Sequence, residues 1–282
     1  SDDRKRTRAR TEKSVEARRS QESGGEKSPG EKSPGEKSCC SKEGRREEAS
    51  KEEGCGSQES HRQGSCEKES PEARRMKTPV YIAFEGIEGC GKTTQASRLV
   101  ASLRLLDADS VLTRETGGTD IGARIREVLH DTANTHLDPI AEALLIAGDR
   151  AQHRAEVLAP ALAAGHHVVS DRSVYSSIAY QGYGRQLPLE TVHAVNDWAL
   201  QSRWPDLVVL LDVSHEHAMS RLAHRDLDRF EQENGEFFQR VRDGFHAMAA
   251  NDPQHWVVIE AVGDPDAIES AVRAAVTERL GI

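Results

Sequence analysis

Between the β-rich run Val80–Glu85 (VYIAFE) and an amphipathic stretch from Lys92 to Leu105, the chain reads Gly86-Ile87-Glu88-Gly89-Cys90-Gly91-Lys92-Thr93, which satisfies G-x-x-x-x-G-K-[ST]. An apolar strand must then end where a helix begins, with backbone N–H groups curled around an anion. Glycines permit that curl, the helix N-terminus adds positive potential, Lys92 can reach the β- and γ-phosphates, and Thr93 can hold Mg²⁺. Residues 86–94, from Gly86 to Thr94, are therefore the expected nucleotide-phosphate site. Cys90 reads as a small filler, because the motif leaves its position open. No N-K-x-D guanine reader follows anywhere in the chain, which argues against a GTPase.

Downstream of this loop, β-rich runs alternate with helical periodicity. Strands are expected at Val80–Glu85, Ser110–Arg114, 166–170, Leu207–Asp212 and Trp256–Glu260. Helices are expected at Lys92–Leu105, Ile121–His130, Pro139–Ala164, Leu189–Gln201, His215–Ala223, Glu233–Ala250 and Pro265–Leu280. Near-continuous apolar strands separated by helices imply a parallel sheet buried on both faces, hence one doubly wound α/β domain of five strands.

Residues 1–75 are different in kind. They hold 19 Lys+Arg, 17 Asp+Glu, no aromatic residue and a near-repeat GEKSP GEKSP GEKS at 25–38. So little apolar surface cannot offset the entropy of ordering a backbone, so this segment reads as a disordered tail before a folded domain at 76–282. Met76, a few residues before the first strand, points to translation starting there, with a genuine disordered arm as the alternative. The tail's charge of +2 against a total of −9 leaves −11 on the domain, which argues against nucleic-acid binding. Four of the five cysteines lie in the tail with neither a zinc nor a disulfide-framework spacing. With no long apolar run and no signal-peptide pattern, the expectation is a cytoplasmic protein without a membrane span. The twelve histidines, with no H-E-x-x-H, read as surface residues.

Three further clusters stand after strands, where open α/β sheets place their ligands. They are TRETGGT at 113–119, DRSVYSSIAYQG at 171–182, and a group with Arg221, Arg225, Asp226 and the tetrad DRFE at 228–231. With FEGIEGCGKTTQ at 84–95, this ordered set resembles the thymidylate kinase family in its bacterial form, over essentially all of 77–282.

The resemblance implies a P-loop nucleoside monophosphate kinase fold and direct in-line transfer from ATP·Mg²⁺ to dTMP. It implies that Lys92 and the loop amides hold the ATP phosphates, that Arg172 holds the dTMP phosphate, and that Arg225 and Arg229 close from a lid. The loop's variable positions Ile87, Glu88, Gly89 and Cys90 include no arginine, which raises the importance of those lid residues. Glu88 matches the family's loop acid, facing the sugar 3′-hydroxyl or a metal-bound water. Asp171, at a strand end, is a candidate Mg²⁺ ligand beside Thr93, with a helix N-cap as the alternative. Arg114 and Glu115 flank the acceptor nucleotide, unless Glu115-Thr116-Gly117-Gly118 is only a tight turn. Residues 145–153 (LIAGDRAQH) match a family helix in which Arg150 bonds a thymine oxygen, and Ile146 stands where many members have Phe. Tyr180 would pack on the deoxyribose, with Ser176, Ser177 and Gln181 as polar contacts. The resemblance further implies a homodimer. A kinase for another nucleoside monophosphate and a nucleotide-binding regulatory protein are the competing readings.

Overall fold

The computed structural model describes residues 78–223 and 226–282. The tail, its repeat and cysteines, Met76 and Arg225 lie outside the described residues. The elements are β1 (Tyr81–Glu85), α1 (Lys92–Leu105), β2 (Ser110–Arg114), α2 (Asp120–His130), α3 (Pro139–His153), α4 (Ala159–Ala163), β3 (His167–Asp171), α5 (Val174–Ser177), α6 (Leu189–Leu200), β4 (Leu207–Asp212), α7 (His215–Leu222), α8 (Gly235–Asn251), β5 (Trp256–Glu260) and α9 (Pro265–Leu280). Two π-helical stretches, Arg154–Leu158 and Ile178–Gly184, complete the list.

All five strands are parallel, in the order β2-β3-β1-β4-β5. Every residue of the central β1 is buried, and β4 is buried through Leu211, as expected for strands covered on both faces. The edge strand β2 alternates instead, with Leu112 42% exposed. One core cluster runs through Phe84, Leu99, Val209, Leu211, Phe238 and Val272. Each such fully buried side chain contributes about 1.5–3 kcal/mol. The register aligns Phe84 with Asp171 and Arg114 with Asp171, so β1, β2 and β3 end at one edge of the sheet. The phosphate-loop motif leaves from that edge.

Three expectations need correction. The single helix expected over Pro139–Ala164 is interrupted by the π stretch at Arg154–Leu158, where Ala159 N–H bonds back to Arg154. Pro160, in the next turn, has no N–H to give an α-helical ladder, and the wider turn re-registers the chain around it. Residues 174–184 are helical where only a polar cluster was expected; Ser173 caps the start by accepting from Tyr175 N–H at 3.4 Å. Third, the histidines are not uniformly superficial. His153 and His167 are buried, His153 between Thr113 and Glu115 and His167 accepting Val80 N–H at 3.2 Å. The remaining boundaries differ by one or two residues: β3 runs one residue later than expected, and α8 starts after the Asn234 cap.

Candidate active site

Glu85 ends β1, and the backbone then turns through Gly86, Gly89 and Gly91 at φ 136°, 75° and 99°. A Cβ on Gly86 would stand 2.5 Å from Leu211 O, so glycine there is demanded twice, by dihedral and by space. Gly91 caps α1 with no side-chain hydrogen bond to the first turn, leaving those amides available to an anion. Lys92 is buried at 7% exposure, its Nζ donating to Gly86 O at 3.1 Å and Ile87 O at 2.8 Å. Thr93 and Thr94 are exposed on the same turn, and Thr93 Oγ1 bonds Asp171 Oδ2. Because Ser173 supplies the cap of α5, Asp171 is not its N-cap. Cys90 is packed into the core, in keeping with a filler. Arg221, grouped by sequence with the lid, instead braces the back of the loop through Gly89 O at 3.2 Å and Ala261 O at 2.8 Å.

Beside the loop lies a concave space of about 720 Å³, open mouth included. Of the expected acceptor-site residues, Glu88, Glu115, Ile146, Arg150, Arg172, Ser176, Ser177, Tyr180 and Gln181 all line it. Arg114 does not: it is exposed at the end of β2. Arg229 does not either. Its guanidinium donates to Leu129 O at 2.7 Å and to Glu142 at 2.6 Å, and lies over the Phe230 ring. Among the described residues of that segment, Asp228, Phe230 and Glu231 reach the cavity.

Arg172 joins the two halves of the site. It follows Asp171 with φ 74°, a left-handed conformation that turns the chain from β3 into α5 at a cost of about 1–2 kcal/mol. Its guanidinium donates to Gly86 O and Ser176 Oγ, both at 3.1 Å, to Glu88 Oε1 at 2.8 Å and to Tyr180 OH at 3.2 Å. Tyr180 OH in turn donates to Glu88 Oε2 at 2.7 Å, closing a triangle in the cavity wall. Burial works against the charge on Arg172, but Tyr180 and the Glu88, Glu85 and Asp171 carboxylates outweigh it and hold the pKa well up.

Arg150 is 1% exposed and largely committed to the protein: Nε to Glu115 at 2.8 Å, Nη1 to Ser177 Oγ and Asn196, and Nη2 to Ser173 O at 3.1 Å. One of its five N–H groups is left for a ligand. Burial pushes the Glu115 carboxyl up, and Arg150 and His153 together pull it below the usual range. A bare turn at 115–118 would not need this fully buried ion pair.

Sequence reasoning missed three contributors. Glu85 is wholly buried, accepting from the N–H and hydroxyl of both Ser173 and Ser176 at 2.6–3.2 Å, and so anchors the start of α5. Arg126 lines the cavity, donating to Thr116 O at 3.2 Å; burial, then the nearby Arg114 and Arg172, lowers its pKa. His130 bonds Asp228 at 2.6 Å, tying the 226–231 segment to α2. The available signal was the i, i+3, i+4 spacing of Arg126, Leu129 and His130, which puts all three on one face of α2.

A family model described as thymidylate kinase matches residues 84–272. The chain belongs to the thymidylate kinase family. It is 44% identical over 210 residues to a thymidylate kinase of Trichlorobacter lovleyi, covering 72% of this chain and 99% of the relative. It is 46% identical over 202 residues to one of Desulforudis audaxviator, covering 71% and 91%. The crystal structure of a thymidylate kinase from Ehrlichia chaffeensis superposes with a TM-score of 0.59 at 30% identity, covering 70% of this chain and 98% of that one. Family membership and the parallel sheet thus agree with the sequence reading.

Several of the family fold's carboxylates set its acid stability. Burial raises Glu115, Glu142, Asp212 and Asp228, but arginine, histidine and amide partners outweigh it and leave all four below their ordinary pKa. Their contribution is fully present above the unfolded values of 3.8 and 4.5, and is lost as pH falls through the lower folded values. Glu85 and Asp149, raised mainly by burial, act in the opposite direction and offset part of the loss. The urea midpoint is expected to fall steadily from pH 5 towards pH 3; a midpoint that holds constant over this range would contradict the assignment.

Proposed function

We propose that the protein catalyses transfer of the γ-phosphoryl group of ATP to the phosphate of dTMP, giving ADP and dTDP in the route to dTTP. The observation that carries this is the placement of Arg172, whose one guanidinium reaches a phosphate-loop carbonyl and lines the neighbouring cavity. Family membership supplies the nucleotides: ATP as donor, dTMP as acceptor.

Transfer between two anions demands charge neutralisation and alignment more than an enzyme nucleophile. In this reading Lys92 leaves the carbonyls of Gly86 and Ile87 for the ATP phosphates, while the uncapped amides of α1 hold their other oxygens. Arg172 and Arg126 meet the dTMP phosphate, and their mutual repulsion favours a dianion between them. Ile146, Leu129 and Phe230 supply apolar surface for the base, and the spare Arg150 N–H and the Gln181 amide its polar edge. Tyr180, fixed by Glu88 and Arg172, stands where a sugar would pack. Arg229 belongs to the lid segment and acts only after leaving Leu129 O and Glu142.

The residues present fit Mg²⁺. Thr93 Oγ1 and Asp171 are hard oxygen donors beside the loop, and among the described residues no group of three or more His, Cys, Asp or Glu is placed to hold a metal. That sparse set suits an ion bound through one or two protein oxygens, substrate phosphates and water. When bound, it would neutralise charge on the phosphates.

The reading includes a cytoplasmic homodimer with no membrane or nucleic-acid partner. Ile140 and Leu144 on α3 and Trp198 on α6, respectively 60%, 55% and 83% exposed, supply apolar surface for pairing. Among the described residues no helix is long and apolar enough to cross a membrane. The test is a coupled ADP-release assay with ATP·Mg²⁺ on dTMP, dUMP, dCMP, AMP and thymidine. Marked preference for dTMP is expected. Equal rates on several monophosphates would indicate a broad nucleotide kinase, and silence on all by protein that binds ATP would indicate a regulatory role.

A further inference from the structure

Behind the cavity wall, on the first turn of α3, Glu142 is wholly buried and is not part of the cavity lining. Its Oε1 accepts from Gln181 Nε2 at 2.9 Å and Arg185 Nε at 3.2 Å; its Oε2 accepts from Arg185 Nη2 at 3.2 Å and Arg229 Nη2 at 2.6 Å. Burial raises this carboxyl, but Arg185, Gln181 and Arg229 hold it ionised and therefore acceptor-only. The Gln181 amide must accordingly turn its NH₂ towards Glu142. That leaves Gln181 Oε1 buried without a hydrogen-bond partner, on a side chain that lines the cavity.

We propose that Glu142 is a positioning residue for base selectivity: by holding the Gln181 NH₂, it commits the amide oxygen to accept a hydrogen bond from the substrate base. This rests on the dTMP reading above. Thymine and uracil carry a hydrogen at N3, whereas cytosine presents an unprotonated acceptor there. A buried acceptor facing another acceptor is unpaired on both sides, and sites built to bond one donor discriminate strongly against its absence. The same carboxylate holds Arg229, so the lid segment and the base reader share one anchor.

In Glu142→Gln, Arg229 and Arg185 Nη2 retain the amide oxygen, and its NH₂ takes the position that faced Gln181 and Arg185 Nε. The Gln181 amide is then free to reverse and present its own NH₂ to the cavity. The experiment measures kcat/KM for dTMP and dCMP at saturating ATP in the parent, Glu142→Gln, Gln181→Met and the double variant, with thermal melts for folding. The dTMP-to-dCMP ratio is expected to narrow at least about tenfold in Glu142→Gln, chiefly through the KM for dTMP. In the Gln181→Met background, adding Glu142→Gln should change the ratio no further. A purely structural role lowers both substrates in proportion, and an unchanged ratio in folded Glu142→Gln overturns the proposal, as does a double variant in which the two effects multiply. Should Glu142→Gln not fold, Glu142→Asp decides by the same ratio, because it keeps the charge for Arg185 and Arg229 but withdraws the carboxylate from Gln181. A parent with no preference for dTMP would defeat the functional reading itself, before any variant is compared.

Discussion

Replacing Lys92 by alanine is expected to lower kcat for dTMP phosphorylation by at least about 10², with the KM for dTMP changed only a few-fold. The ammonium is folded inside the phosphate loop, within 3.1 Å of two loop carbonyls. Moving onto the nucleotide costs those two bonds and gains contacts to a far larger charge, which grows more important as negative charge redistributes in transfer. The loop should survive the change, since its turn is set by glycine dihedrals and by Arg221 behind Gly89. The acceptor cavity loses no lining residue. Steady-state kinetics beside a thermal melt provide the check, and near-parental turnover in folded protein would remove Lys92 from the chemistry.

Arg172→Ala should be costlier in kcat/KM, by about 10³, because it removes the acceptor-side cation and the partner of two cavity-wall side chains at once. In the proposed reaction the acceptor phosphate loses its guanidinium, and Glu88 and Tyr180 lose the partner that fixes them in the cavity wall. Arg172→Lys should rescue little. One guanidinium reaches Gly86 O, Ser176, Glu88 and Tyr180 together, whereas a single ammonium cannot span that fan of directions. ATP affinity measured without dTMP should stay within a few-fold of the parent, which separates this variant from Lys92→Ala. Loss of ATP binding equal to the loss of dTMP binding would show that Arg172 serves the donor site instead.

The nucleotide loop, the parallel sheet and most of the cavity lining were legible because each has a local signature. A glycine spacing, an apolar run or a matched motif occupies contiguous residues. Glu85 and Glu142 left no such trace: both are carboxylates inside elements, and their importance arises only when Ser173 and Ser176, or Gln181 and Arg229, are brought across 88 to 91 or 39 to 87 residues of chain. Arg229 shows the reverse problem. Its motif suggests a catalytic contact, but the conformation adopted here is decided by competition among partners, and Glu142 and Leu129 O win. The π stretch before Pro160 was hidden for a related reason, since apolar periodicity registers which face is buried and says little about which carbonyl each N–H reaches.

The end of β1 has one more consequence. Its last residue, Glu85, passes the main chain directly into the phosphate loop, while its carboxylate carries the first turn of the helix that follows Arg172. The residues proposed to hold donor and acceptor therefore share a single mounting point in β1, every residue of which is buried. In the proposed reaction the spacing between the two nucleotides is gauged from that one residue and not from the loops around it.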